Sequence, residues 1–156
     1  MSSCELTHFN ITVLKYPYDS PEVSGFVNNL DRINQVADNS EGFVWRLEME
    51  EDDTSDIDIF GKDSVVNMSV WENIEHLHNY VYRTAHAQIM RRKKEWFHKK
   101  REAALVLWWV PKGHRPSLKE ADAKLQKLRN TGPTQSAFSF KHAFPMPNEA
   151  VSCYGD

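Results

Sequence analysis

Asn67, Trp71, Tyr82 and His86 are the side chains of this 156-residue sequence whose types and spacing could do chemistry. A carboxamide can donate a hydrogen bond to a developing oxyanion, and a histidine of ordinary pKa, about 6.5, is the natural general base at neutral pH. Tyr82 and His86 stand four residues apart, one helical turn, so on an unbroken helix the phenol would position the imidazole. Trp71 would give a rigid apolar wall, and Arg46 would offset charge on a bound carboxylate or phenolate. Trp45, Trp108 and Trp109 complete the candidate binding set. His76 and His78, two apart on a helix, point in different directions and make no metal pair. Seven acids lie between Glu48 and Asp58, without the spacing of a calcium loop. No metal site is expected from these residues.

The stretch 64–98 must position this set. Val65, Val66, Met68 and Val70 read as a strand uninterrupted by Gly or Pro. From Glu72 the apolar period lengthens, and Ile74, Leu77, Val81, Ala85 and Ile89 lay one stripe along a long helix. Asn67 falls near the strand end and Trp71 at the joint. Ahead of it, residues 7–15 alternate as a first strand, with Phe9, Ile11 and Val13 on one face and His8, Asn10, Thr12 and Leu14 on the other. Ser20 and Pro21 open a helix running to about Ala37. Phe43 to Met49 reads as a second strand, with Phe43, Trp45 and Leu47 opposed to Val44 and Arg46, followed by a solvated acidic loop. Ala103 to Val110 is a near-continuous apolar run, as in a strand covered on both faces. Trp108 and Trp109 must therefore face opposite ways, one toward the pocket and one toward an interface. Ser117 with Glu120 forms a capping box for a short helix carrying Leu118, Ala121, Leu125 and Leu128. A last short strand is expected over 137–142.

The order βαββαβ with a small αβ extension defines an α+β, ferredoxin-like domain: a four-stranded antiparallel sheet with its main helices on one face. One domain is expected, with core about 6–111, appendage about 112–145 and tail 146–156. The other sheet face also carries apolar residues, and a second subunit meeting it sheet to sheet would make a homodimeric α/β barrel. Five Trp and eight Phe suggest aromatic walls for a small ligand. The net charge of −3 argues against a dedicated nucleic-acid partner. The basic run from Arg91 to Arg101 reads as a solvated helix end, where cations suit the dipole. Cys4 and Cys153 lie near the two ends without a Cys-x-x-Cys pair, and a reduced cytoplasmic chain is expected over a terminal disulfide. No signal peptide or membrane span is read.

Several short segments carry a resemblance: Gly42-Phe-Val-Trp-Arg46, Asn67-Met-Ser-Val-Trp71, Tyr82-Arg-Thr-Ala-His86, Trp96-Phe97 and Leu107-Trp-Trp-Val-Pro111. Over roughly residues 6–145 the chain resembles the dimeric α/β-barrel superfamily, which includes antibiotic-biosynthesis monooxygenases and small haem-degrading monooxygenases. It looks closest to a bacterial branch of unknown function. The resemblance implies a small-molecule-binding protein, and as one option a cofactor-independent monooxygenase acting on an aromatic or polyketide-like compound. Asn67 and Trp71 would then orient the substrate, His86 would accept a proton, Tyr82 would position His86, and no cofactor would be needed. The alternative it implies is a haem-binding or haem-degrading protein with His86 on iron and Asn10 over the distal side. A non-enzymatic ligand-binding or structural dimer is the remaining reading.

Overall fold

Apolar residues on both faces of Cys4–Val13, Cys4 and Leu6 on one and Phe9 and Ile11 on the other, suit β1 to a covered position with both edges paired. It runs antiparallel to β3 (Ser64–Trp71) on one side and to β4 (Leu105–Pro111) on the other. A short β2 (Phe43–Arg46) joins the far edge of β3, giving the order β2-β3-β1-β4 of a ferredoxin-like sheet. This computed structural model describes residues 4–50, 52–99 and 102–147.

The expected helices are present but broken. Residues 21–37 form a 3-10 turn (Pro21–Val23), α1 (Ser24–Val27) and α2 (Leu30–Asp38). At the break Asn29 donates from Nδ2 to the Gly25 carbonyl (2.6 Å), the local bonding by which Asn competes with helix continuation. The acidic stretch read as a loop contains α3 (Ser55–Phe60), because Ile59 and Phe60 pack onto the sheet. The long helix divides into α4 (Ile74–Arg83), α5 (Ala85–Arg91) and α6 (Lys93–Trp96). Thr84 makes the first division. Its backbone is extended, its Oγ1 donates to the Tyr80 carbonyl at the end of α4, and it accepts from the His86 N–H at the start of α5.

On the helix side, Leu6, Trp71, Leu77, Tyr80, Val81, Leu107 and Trp109 form one core, extended by Leu14, Val23, Phe26 and Trp96. The other face of the sheet is covered within the chain. Here α7 (Leu118–Thr131) lays Leu118, Ala121, Leu125 and Leu128 on Phe9, Met68, Val106 and Trp108, with α3 beside it. Each buried leucine is worth roughly 1.5–3 kcal/mol. The face that the sequence reading gave to a second subunit thus has α7 and α3 on it. Ser117 caps α7 as expected (Glu120 N–H to Oγ, 3.1 Å). The Glu120 carboxylate instead accepts from Trp108 Nε1 (2.8 Å) and lies 2.7 Å from His114 Nε2. The strand expected over 137–142 contracts to two isolated bridges: Ala137 pairs with Thr134, and Phe138 exchanges two backbone hydrogen bonds with Leu107 (2.8 and 2.9 Å).

A bulge between Phe43 and Trp45 changes which side chains β2 presents. Phe43 stays on the helix side, edge-on to Trp71 at 5.5 Å. Trp45 and Leu47 turn to the α7 face. Ahead of the bulge, Gly42 has φ of 83°, and an added Cβ would lie 2.4 Å from the His76 ring and 2.5 Å from its Cβ. That neighbour is fixed to the first turns of α4 and cannot swing away. Gly42→Ala is expected to cost about 3 kcal/mol, combining the left-handed penalty with overpacking, as read by denaturant unfolding. A loss under 1 kcal/mol would show that β2 and α4 slide apart freely.

Candidate functional site

Between the helix-side face of the sheet and the α1, α2 and α5 helices lies a cleft of about 1210 Å³. Four residues singled out from the sequence line it together: Asn10, Arg46, Asn67 and His86. Asn10 and Asn67 are direct cross-strand partners in the β1–β3 ladder, which sets their Cβ atoms about 5 Å apart. Asn67 is exposed to the cleft, and its carboxamide makes no hydrogen bond among the described residues. Two adjacent amides can hold one oxygen atom between them.

His86 owes its place to the Thr84 break, which turns the start of α5 toward the cleft. Its Nδ1 lies 3.2 Å from the Val81 carbonyl. A carbonyl only accepts, so Nδ1 carries the proton and Nε2 keeps its lone pair. Burial holds the imidazole pKa below its ordinary value, partly opposed by the bond to Val81. The ring is therefore neutral at pH 7. A depressed value in the folded state adds stability above pH about 6.5, lost as pH falls through the folded pKa.

The ring beside His86 is Tyr80, with centroids 5.0 Å apart. Tyr80 is buried, its phenol pKa raised by desolvation, and it stacks on Trp71 at 5.0 Å. Tyr82, expected to position His86, is exposed and packs against His78 and Phe140. The helix break separates the two residues that an unbroken helix would have aligned. Trp71 is fully buried behind Tyr80, its Nε1 donating to Ser69 Oγ (2.8 Å). Trp108 faces α7, and Trp109 faces the helix side, donating to the Phe144 carbonyl (3.0 Å). Trp45 lies on the α7 face, 5.9 Å from the Arg115 guanidinium.

No Trp lines the cleft. Besides the imidazoles of His86 and His98 its rings are Tyr18, Phe26 and Phe97, and the rest of its apolar surface is aliphatic, from residues such as Leu30, Ile33, Val65, Ile89 and Met90. Arg46 is already engaged. Its guanidinium makes a two-point bond to Asp38 (2.8 and 3.3 Å) and lies 3.2 Å from Glu48. Five exposed lysines complete the lining: Lys15, Lys62, Lys93, Lys94 and Lys99. Sequence reasoning treated the last three as a helix end, and missed Asn34. The Thr84 side chain, a good N-cap three residues before a renewed apolar step, was the available signal for the helix break.

In the basic run, Arg92 bonds Glu95 (2.8 Å) and lies over Trp96, which is buried and so presents no stacking platform. Lys100 and Arg101 lie outside the described residues. Cys4 is buried and disulfide-bonded, against the expectation of a reduced chain; Cys153 lies outside the described residues. Among the described residues no group of three or more His, Cys, Asp or Glu could hold a metal ion. None of their helices is long and apolar enough to cross a membrane.

The fold and site define a ferredoxin-like α+β domain with a lysine-rimmed apolar cleft on its helix side. The chain belongs to the family described as Domain of unknown function (DUF3291), whose model matches residues 5–153. No curated protein matches it. Among solved structures it is similar to a protein of unknown function from Nitrosomonas europaea, NE2512, at 9% identity and TM-score 0.49, covering 75% of this chain and 97% of that one. It is also similar to SnoaB, a cofactor-independent oxygenase from Streptomyces nogalater, at 15% identity and TM-score 0.45, covering 73% of this chain and 96% of that one.

Proposed function

We propose that the cleft binds a small phenolic or polyketide-like molecule and promotes its oxidation by dioxygen without a bound cofactor. The observation that carries this reading is the meeting, in one cleft, of a neutral imidazole and a cross-strand pair of amides. His86 Nε2 takes the phenolic proton, and the Asn10 and Asn67 amides stabilise the oxyanion in an apolar surround where hydrogen bonds count for more. The anion then passes electrons directly to dioxygen. Trp71 and Tyr80 serve as support, holding His86 from behind, and Arg46 with its two carboxylates closes the β2 side.

Oxygen consumption with simple hydroquinones tests the proposal. The protein is expected to raise uptake well above the uncatalysed rate, and Asn67→Ala to lower that gain about 10²-fold, the usual effect of removing one oxyanion donor. Uptake equal to a protein-free control across such substrates would remove the oxygenase reading.

A second reading is favoured by the same free lone pair. His86 Nε2 would ligate a haem iron, with the apolar walls against the porphyrin and lysines near its carboxylates. Haem so bound would supply oxygen chemistry at the metal, and His86 would no longer be available as a base.

A further inference from the structure

We infer that the ligand of this cleft is an amphipathic anion: a carboxylate at the lysine rim joined to an extended aliphatic body. The inference goes beyond the oxygenase reading above and rests on it only for the location of the site. Three observations carry it.

The first is charge. Five lysines line the cleft against two aspartates, Asp56 and Asp63, while the chain as a whole carries −3. The positive excess is therefore local to this opening. None of the five lysines joins an ion pair among the described residues, whereas Arg46 is neutralised by Asp38 and Glu48. Lys15 is drawn toward α6 by a bond from Nζ to the Lys94 carbonyl (2.6 Å), which gathers ammonium groups on that side. Unpaired cations flanking an apolar mouth raise the local concentration of anions and anchor one end of a bound molecule.

The second observation is the wall. All five Trp side chains lie elsewhere, and between the rings of Tyr18, Phe26 and Phe97 the wall is a soft aliphatic one from Leu30, Ile33, Val65, Ile89 and Met90. Such surfaces fit a chain, and methionine adapts to its contour. The third is size. At about 1210 Å³ the cleft exceeds the roughly 300–1,000 Å³ of common ligand pockets, which suits an elongated occupant.

Calorimetric titration with three ten-carbon probes tests this, each kept below its micelle-forming concentration: decanoate, decanol and decyltrimethylammonium. Decanoate is expected to bind at least tenfold tighter than decanol, with the cation weakest, and to weaken as salt is raised. Shortening decanoate should loosen binding by roughly two- to fourfold per methylene. The double substitution Lys93→Glu and Lys94→Glu, both at exposed positions, should cost at least tenfold for decanoate and leave decanol unchanged. Lys93→Gln with Lys94→Gln should fall between. Equal binding of decanoate and decanol, no binding of decanoate, or indifference to these variants would each overturn the inference. Decanoate binding as described, in a protein that consumes no oxygen with hydroquinones, would sink the oxygenase reading and leave this one standing.

Discussion

His86→Ala leaves a folded protein whose oxygen uptake with an accepted hydroquinone falls about 10²–10⁴-fold, the range for losing a general base. The substitution removes a half-buried ring that touches Tyr80 and the Val81 carbonyl but belongs to no core cluster, so circular dichroism and unfolding should change little. The pH profile separates a base from a wall. Burial lowers the imidazole pKa, so the acid limb of the rate should fall only below pH about 6.5 and be absent from the variant. His86→Gln, which keeps bulk and a hydrogen bond, should not restore turnover. An unchanged rate in either variant would remove the base assignment. The same variants decide the haem reading, since a Soret shift on adding haem that disappears with His86 would make the residue an iron ligand.

Trp71→Ala should destabilise the fold by about 3–5 kcal/mol in denaturant unfolding, as other large-to-small core changes do. Trp71 is fully buried, stacks on Tyr80, meets Phe43 edge-on and bonds Ser69 Oγ, itself buried. Truncation empties the middle of that stack and leaves the Ser69 hydroxyl without its donor. Trp71→Phe keeps a ring against Tyr80 and should lose less than half as much. If Trp71 instead oriented substrate, Trp71→Phe would abolish turnover in a protein of normal stability. That result would overturn its placement as support.

The strands were legible because alternation and β-branching are local. Ser64–Trp71 has the bounds that Val65, Val66, Met68 and Val70 imply, and the two faces of β1 divide as its pattern predicts. The helix breaks were hard to read, because a 3.6-residue stripe runs through Thr84 and only its capping side chain marks the division. One hydroxyl bonding on both sides of it decides the geometry, and with it the separation of Tyr82 from His86. The bulge that turns Trp45 away is likewise invisible to a period-two pattern. Counting tryptophans misled about the cleft for a physical reason. An indole is most stable where its face is packed and its N–H satisfied, and Trp71, Trp108 and Trp109 each found such a partner away from the cleft. The Asn10–Asn67 pairing needed strand register, which no single stretch of sequence contains.

Because α7 and α3 lie on the far face of the sheet in cis, the burial of Phe9, Met68, Val106 and Trp108 is a unimolecular event. A face closed by a second molecule contributes a mass-action term, so its share of stability drains away on dilution. This share carries no concentration dependence. The sheet under the cleft is as well backed in a single dilute chain as in a crowded one.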